Sequence, residues 1–232
     1  MAENDKATRV TYGLLNLAHR DGHGTPEPLV PGQRYRVRVP LNGIAQGFPK
    51  GHRIRVSVST SYWPVAWPAP RPARLTIHSG SSRLLLPERP PQAGDAELRA
   101  FGEPEGAPGV EQTMVEPRNY QWLVTRDLAE DVSTLHVVKD EGVYRIEDID
   151  LEVKVQTVED YSYRSDDVDS VRGETHCVRR LCRGDWRIET VTHTVLTSNA
   201  THFFISATLD AYEGDRRVFS RNWDREIPRD HL

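Results

Sequence analysis

Cysteine is nearly absent from this chain of 232 residues: Cys177 and Cys182 are the only two. Two thiols can build neither a disulfide scaffold nor a four-thiolate zinc site. No apolar run approaches the ~18–20 residues that a spanning helix needs, which excludes a helical membrane protein. Met1-Ala2-Glu3-Asn4-Asp5-Lys6 lacks the basic and apolar regions of a signal peptide. A net charge of −4 gives no electrostatic reason to bind nucleic acid. The expectation is a soluble, cytoplasmic protein with no membrane and no nucleic-acid partner, long enough for one large or two small domains.

Proline is unevenly spent. Fifteen of the 16 prolines lie at or before Pro117, and the other is Pro228. Charge divides in the same place: 14 Lys+Arg against 10 Asp+Glu up to Glu111, then 16 against 24 from Thr113 onward. Between the halves run Pro87-Glu88-Arg89-Pro90-Pro91-Gln92-Ala93-Gly94 and Gly102-Glu103-Pro104-Glu105-Gly106-Ala107-Pro108-Gly109. Pro and Gly resist regular structure, and this stretch has few apolar anchors. The expected organisation is a first unit over 1–90, a linker over 91–112 and a second unit over 113–232.

No segment keeps a helical apolar stripe over ten or more residues; the period is 2. Tyr35, Val37 and Val39 alternate with arginines, and Ile54, Val56 and Val58 repeat the pattern over 53–59. Such alternation predicts strands with one buried face. Arg74–His78 and Arg83–Pro87 read as two more, joined through Ser79-Gly80-Ser81-Ser82. In the second half, 120–125, 134–138, 151–163, 174–182, 186–196, 202–212 and 216–227 carry strand composition. Asp140-Glu141-Gly142, Arg183-Gly184-Asp185, Ser198-Asn199-Ala200 and Glu213-Gly214-Asp215 are expected as hairpin turns between them. The pattern predicts an all-β chain whose second half is an antiparallel meander.

Catalytic signatures are missing. A nucleophile elbow needs Gly-x-Ser-x-Gly between a strand and a helix, and Gly80-Ser81-Ser82-Arg83-Leu84 departs from it. There is no Walker or dinucleotide glycine loop. No catalytic residue and no cofactor is therefore expected. His19-Arg20-Asp21-Gly22-His23 could offer ligands, but zinc wants more of them on a rigid element, so the segment is read as a hydrogen-bonded loop anchor and no metal is expected. The acidic runs Glu147-Asp148-Ile149-Asp150 and Asp166-Asp167-Val168-Asp169 lack the glycine and closing glutamate of a calcium loop and read as solvated turns. Cys177 and Cys182, five apart on one strand, would face opposite sides and stay free.

The most unusual stretch is Ser59-Thr60-Ser61-Tyr62-Trp63-Pro64-Val65-Ala66-Trp67-Pro68-Ala69-Pro70, where Tyr62, Trp63 and Trp67 are stiffened by three prolines. A rigid aromatic loop can fold over the end of its own sandwich, contact another domain, or stack on a sugar or peptide. Composition leaves all three open.

Thr11-Tyr12-Gly13-Leu14-Leu15-Asn16-Leu17-Ala18-His19-Arg20, Gly51-His52-Arg53-Ile54-Arg55-Val56, Ser61-Tyr62-Trp63-Pro64 and Trp67-Pro68-Ala69-Pro70 occur in fixed order. Over 8–88 the chain resembles the C-terminal, non-catalytic domain of CocE/NonD-type serine hydrolases, the group of Xaa-Pro dipeptidyl-peptidases and cocaine esterase. From about Thr113, motifs such as Val137-Val138-Lys139-Asp140 and Leu209-Asp210-Ala211-Tyr212-Glu213-Gly214 resemble a C-terminal β extension of some members. The resemblance implies a jelly-roll-like β-sandwich that lacks its N-terminal strands here, from a truncated or split chain. The group's Ser-Asp-His triad belongs to a preceding α/β-hydrolase domain, so no triad residue carries over. The expected function is a non-catalytic accessory module packing on that catalytic domain, in cis or in trans, with Tyr62, Trp63 and Trp67 as contact surface. Self-association through an exposed sheet edge is expected too. The rival is a stand-alone carbohydrate- or peptide-binding module that uses loop 62–67.

Overall fold

A computed structural model describes residues 6–230; Met1–Asp5, read above as lacking a signal peptide, lie outside the described residues. The chain is all-β. Eight strands form one antiparallel sheet: β1 Gln112–Glu116, β2 Asn119–Asp127, β3 Val132–Ile146, β4 Leu151–Arg164, β5 Asp167–Arg183, β6 Trp186–Ser198, β7 His202–Glu213 and β8 Arg216–Pro228. From β3 to β8 each strand pairs with the next in sequence, as a meander. β1 and β2 share the outer edge of β3, with β2 against Val132–Asp140 and β1 against Val143–Ile146.

Turn chemistry sets most of these reversals. Gly184 and Gly214 take φ of +56° and +58° between β5 and β6 and between β7 and β8, the left-handed conformation that a tight hairpin requires. Between β6 and β7 the Asn199 Oδ1 accepts from the Thr201 and His202 amides, both at 2.8 Å. At the start of β5 the Asp167 Oδ1 accepts from the Asp169 amide at 2.9 Å, and Glu147–Ile149 form one 3-10 turn between β3 and β4.

One expected hairpin is something else. Asp140-Glu141-Gly142 lies inside β3 as a bulge, with the register shifting between Asp140 and Val143. Gly142 supplies the positive φ, +71°. The extra residues let β3 run past Pro117, which cannot donate to a ladder, and pair afresh with β1.

The first half departs further from its pattern. Residues 6–111 hold three short 3-10 turns, Leu17–His19, Ser79–Ser81 and Ala93–Glu97, and no strand. The alternating segments 33–39, 53–59, 74–78 and 83–87 run without ladders. Ile54, Val56 and Val58 stand 54%, 61% and 59% exposed. Alternation specifies which side chains share a face; it does not supply the neighbouring strand that makes the ladder.

Among the described residues the buried aliphatic side chains are Val137, Val138, Val143, Val153 and Val171, all in the sheet. The whole exposes 18309 Å², where a folded monomer of 26.4 kDa is expected to expose about 10,600 Å². Exposed large apolar side chains occur in both halves, Leu85 and Phe101 in the first and Trp122 and Val124 in the second among them. No helix among the described residues is long and apolar enough to cross a membrane.

Candidate functional site

The aromatic loop is organised by its own backbone. The Ser59 hydroxyl accepts from the Ser61 amide at 3.2 Å, and the Ala66 amide donates to the Tyr62 carbonyl at 2.9 Å. This single turn, with a cis peptide at Trp63–Pro64, brings Trp63 and Trp67 together edge to face, centroids 4.9 Å apart. Tyr62 parts from them. Its ring packs edge-on against Tyr12 at 5.4 Å, and its hydroxyl accepts from the Arg9 guanidinium.

The tryptophans meet one face of the sheet. Tyr161 on β4 stands opposite Gly173 on β5, and Ser198 on β6 opposite Phe203 on β7. Directly opposed residues share a face, and all four lie on the side the loop covers. Trp63 is edge-on to Tyr161 at 5.8 Å and Trp67 to Phe203 at 5.7 Å. Gly173 lies beneath this contact, where a Cβ would sit at ordinary van der Waals distance, 3.7 Å from the Tyr161 ring and 3.8 Å from Trp67. Burial raises the pKa of the Tyr161 phenol.

Polar groups close the junction. The Trp67 Nε1–H donates to Ser198 Oγ at 2.8 Å. Arg229, just past β8, donates through Nη1 to the same oxygen at 3.1 Å and to the Asn199 carbonyl at 3.0 Å. Its Nη2 donates to the Pro68 carbonyl at 2.6 Å, and its guanidinium lies 4.7 Å from the centre of the Phe203 ring. Arg229 is only 6% exposed and Pro68 is buried. Burial pulls its pKa below the ordinary guanidinium value, opposed weakly by Asp169. Carbonyls, a hydroxyl and a ring face take the place of a carboxylate around the two Nη groups, while the buried Nε is left without a hydrogen-bond partner. The arrangement is a clamp between the loop and the end of the sheet.

Elsewhere His19 and His23 approach each other at 2.9 Å between their Nδ1 atoms, while Arg20 donates to the Leu17 carbonyl at 3.2 Å and the Glu27 carbonyl at 2.7 Å. Arg20 is thus the anchor of that loop. Among the described residues, no group of three or more His, Cys, Asp or Glu is arranged to hold a metal ion. Cys177 and Cys182 are free and half-buried on β5. The face away from the loop is polar. His136 Nδ1–H donates to Asp160 at 2.7 Å and His193 Nε2–H to Glu174 at 2.5 Å, beside a depression of about 420 Å³ lined by Val158, Asp160, Glu174, His176 and His193. The His193 hydrogen bond, helped by Arg172, holds the Glu174 carboxyl below its ordinary pKa.

The sequence singles out Tyr62, Trp63 and Trp67 but not Tyr161, Ser198, Phe203 and Arg229, which receive the two tryptophans. Gly173, a glycine inside a strand, is the one sequence feature at this contact, and a Cβ there would meet only ordinary van der Waals distances.

The fold and the clamp define an all-β chain whose proline- and aromatic-rich first half is fastened to an antiparallel sheet. Residues 2–100 match the family model of the X-Pro dipeptidyl-peptidase C-terminal non-catalytic domain, which is the type of domain read from Thr11–Arg20, Gly51–Val56 and Trp63–Pro70. The match covers less than half of the chain and stops before the sheet begins at Gln112. No curated protein and no solved structure matches the chain.

Proposed function

We propose that this chain is an accessory β-module of a CocE/NonD-type serine hydrolase acting on ester or Xaa-Pro peptide bonds, and that it packs on the catalytic α/β-hydrolase domain in cis or in trans. The observation that carries the reading is the match of residues 2–100 to a non-catalytic domain. The rows Val37/Val39 and Ile54/Val56/Val58 support it, since they alternate as sandwich strands do yet stand exposed. They need the surface or strands of another domain. The two half-buried free thiols suit a cytoplasmic setting. Trp63 and Trp67 spend their rings on Tyr161 and Phe203, which favours a contact role over a ligand platform.

The test is hydrolysis of Xaa-Pro anilides and short-chain esters by the pure chain, followed by co-purification with a hydrolase domain of this group. The expected result is no turnover alone and a stable complex with the partner. Turnover by the pure chain that disappears when one of its own serines is replaced would overturn the proposal.

A further inference from the structure

The sheet ends in two edges of different character. β8 carries Arg216, Arg217, Arg221, Asp224, Arg225 and Glu226 and closes with Pro228. Charge and proline of this kind keep an edge strand in water. β2, on the other edge, pairs only with β3 among the described residues. Its six consecutive residues Tyr120-Gln121-Trp122-Leu123-Val124-Thr125 carry no charge, no proline and no glycine, and every position of the strand is exposed. Trp122 and Val124 stand 71% and 75% exposed. A long uncharged edge of aromatic and β-branched residues is a template for another strand.

The sequence of β2 also says which strand. Folded antiparallel onto a second β2 about a two-fold axis at Leu123, the strand meets itself without conflict. Leu123 faces Leu123, Trp122 faces Val124, Gln121 faces Thr125, Tyr120 faces Arg126 and Asn119 faces Asp127. Each pair is apolar with apolar, amide with hydroxyl or carboxylate, or cation with ring, and no like charges oppose. Pairs of equal parity share a face, so the exposed Trp122 and Val124 rows of two copies become one surface. We propose that β2 is a homodimerisation edge, and that two copies of this chain join β2 to β2 into one continuous antiparallel sheet. The edge lies outside residues 2–100 and is independent of any hydrolase partner.

Light scattering of the full chain at micromolar concentration is expected to give twice the 26.4 kDa of one copy. Leu123→Lys places two like charges opposite each other and is expected to return the mass to that of one copy, with an unchanged far-UV spectrum. The register has its own readout, useful should Leu123→Lys misfold. In a Cys177→Ser, Cys182→Ser background, Leu123→Cys is expected to form an intermolecular disulfide in air, because opposed Cα atoms lie about 4.5–5.5 Å apart, within disulfide reach. Gln121→Cys alone is expected not to cross-link, and Gln121→Cys with Thr125→Cys in the same chain is. A monomer at these concentrations, open-ended aggregates, a dimer indifferent to Leu123→Lys, or cross-linking by Gln121→Cys but not Leu123→Cys would each overturn the proposal.

Discussion

The indole of Trp67 donates to the hydroxyl of Ser198 at 2.8 Å across 131 positions of sequence. That bond ties the aromatic loop to the end of β6. Trp67→Phe keeps an aromatic ring edge-on to Phe203 and removes the donor, so it is expected to cost about 1 kcal/mol. Trp67→Ala also removes the contacts with Trp63 and Phe203 and is expected to cost about 2–3 kcal/mol, below the range for a fully buried ring. Urea midpoints of the two variants, taken at an unchanged m-value, check the order.

Arg229 shares the Ser198 oxygen with Trp67 and alone serves the Pro68 carbonyl. Arg229→Lys retains a charge but cannot reach three acceptors from one ammonium. Arg229→Met strips the donors and leaves the buried Pro68 carbonyl unpaired, with an expected loss of roughly 1–3 kcal/mol. Because both side chains act on Ser198, the double variant Trp67→Phe, Arg229→Lys is expected to be less destabilised than the sum of the two singles. A double-mutant cycle by urea unfolding measures that coupling, and strict additivity would count against a shared clamp.

Three glycines separate conformational strain from collision. At Gly142, φ is +71° and a Cβ would meet the Glu116 carbonyl oxygen at 2.2 Å and Pro117 backbone at 2.8 Å. Gly142→Ala is expected to cost well over 2 kcal/mol, since both the left-handed backbone and the β1 crossing resist it. Gly214→Ala meets only the backbone penalty, at φ +58° with nothing within 4 Å, and is expected to cost about 1 kcal/mol. Gly173→Ala has neither problem, because its added methyl would make ordinary contact with Tyr161 and Trp67. Thermal midpoints should therefore rank Gly142→Ala lowest and Gly173→Ala nearest the parent.

Much of the sheet was legible because its turn chemistry is local. Gly184, Asn199 and Gly214 sit where their φ values or side-chain acceptors demand a reversal, and the strands between them follow. Asp140-Glu141-Gly142 misled for the same reason: a bulge and a hairpin call for the same left-handed glycine, and only the partner across β3 distinguishes them. The first-half strands failed differently. Their alternation is real, but Ile54, Val56 and Val58 find no ladder, because pairing is a property of neighbours and not of the segment. At the clamp, the loop was visible as three aromatics among prolines. Its receiver was not, since Ser198 and Arg229 are ordinary residues until the meander brings the ends of β6 and β8 together.

On the opposite face, the hydrogen bond from His193 depresses the Glu174 pKa below its ordinary value near 4.5, with Arg172 adding to the effect and burial working against it. A carboxylate more acidic when folded contributes stability that is complete above the unfolded value and is lost as pH falls through the folded one. Below about pH 4.5 the unfolded chain takes up the proton first, which pulls the equilibrium toward unfolding. Glu174→Gln removes that term while keeping a similar shape. The variant is expected to be less stable than the parent at neutral pH, to fall less steeply below pH 4.5, and to converge with it at lower pH. Urea midpoints between about pH 3 and 7 test the sign, and a parent and variant running parallel across that interval would show that Glu174 carries no such coupling.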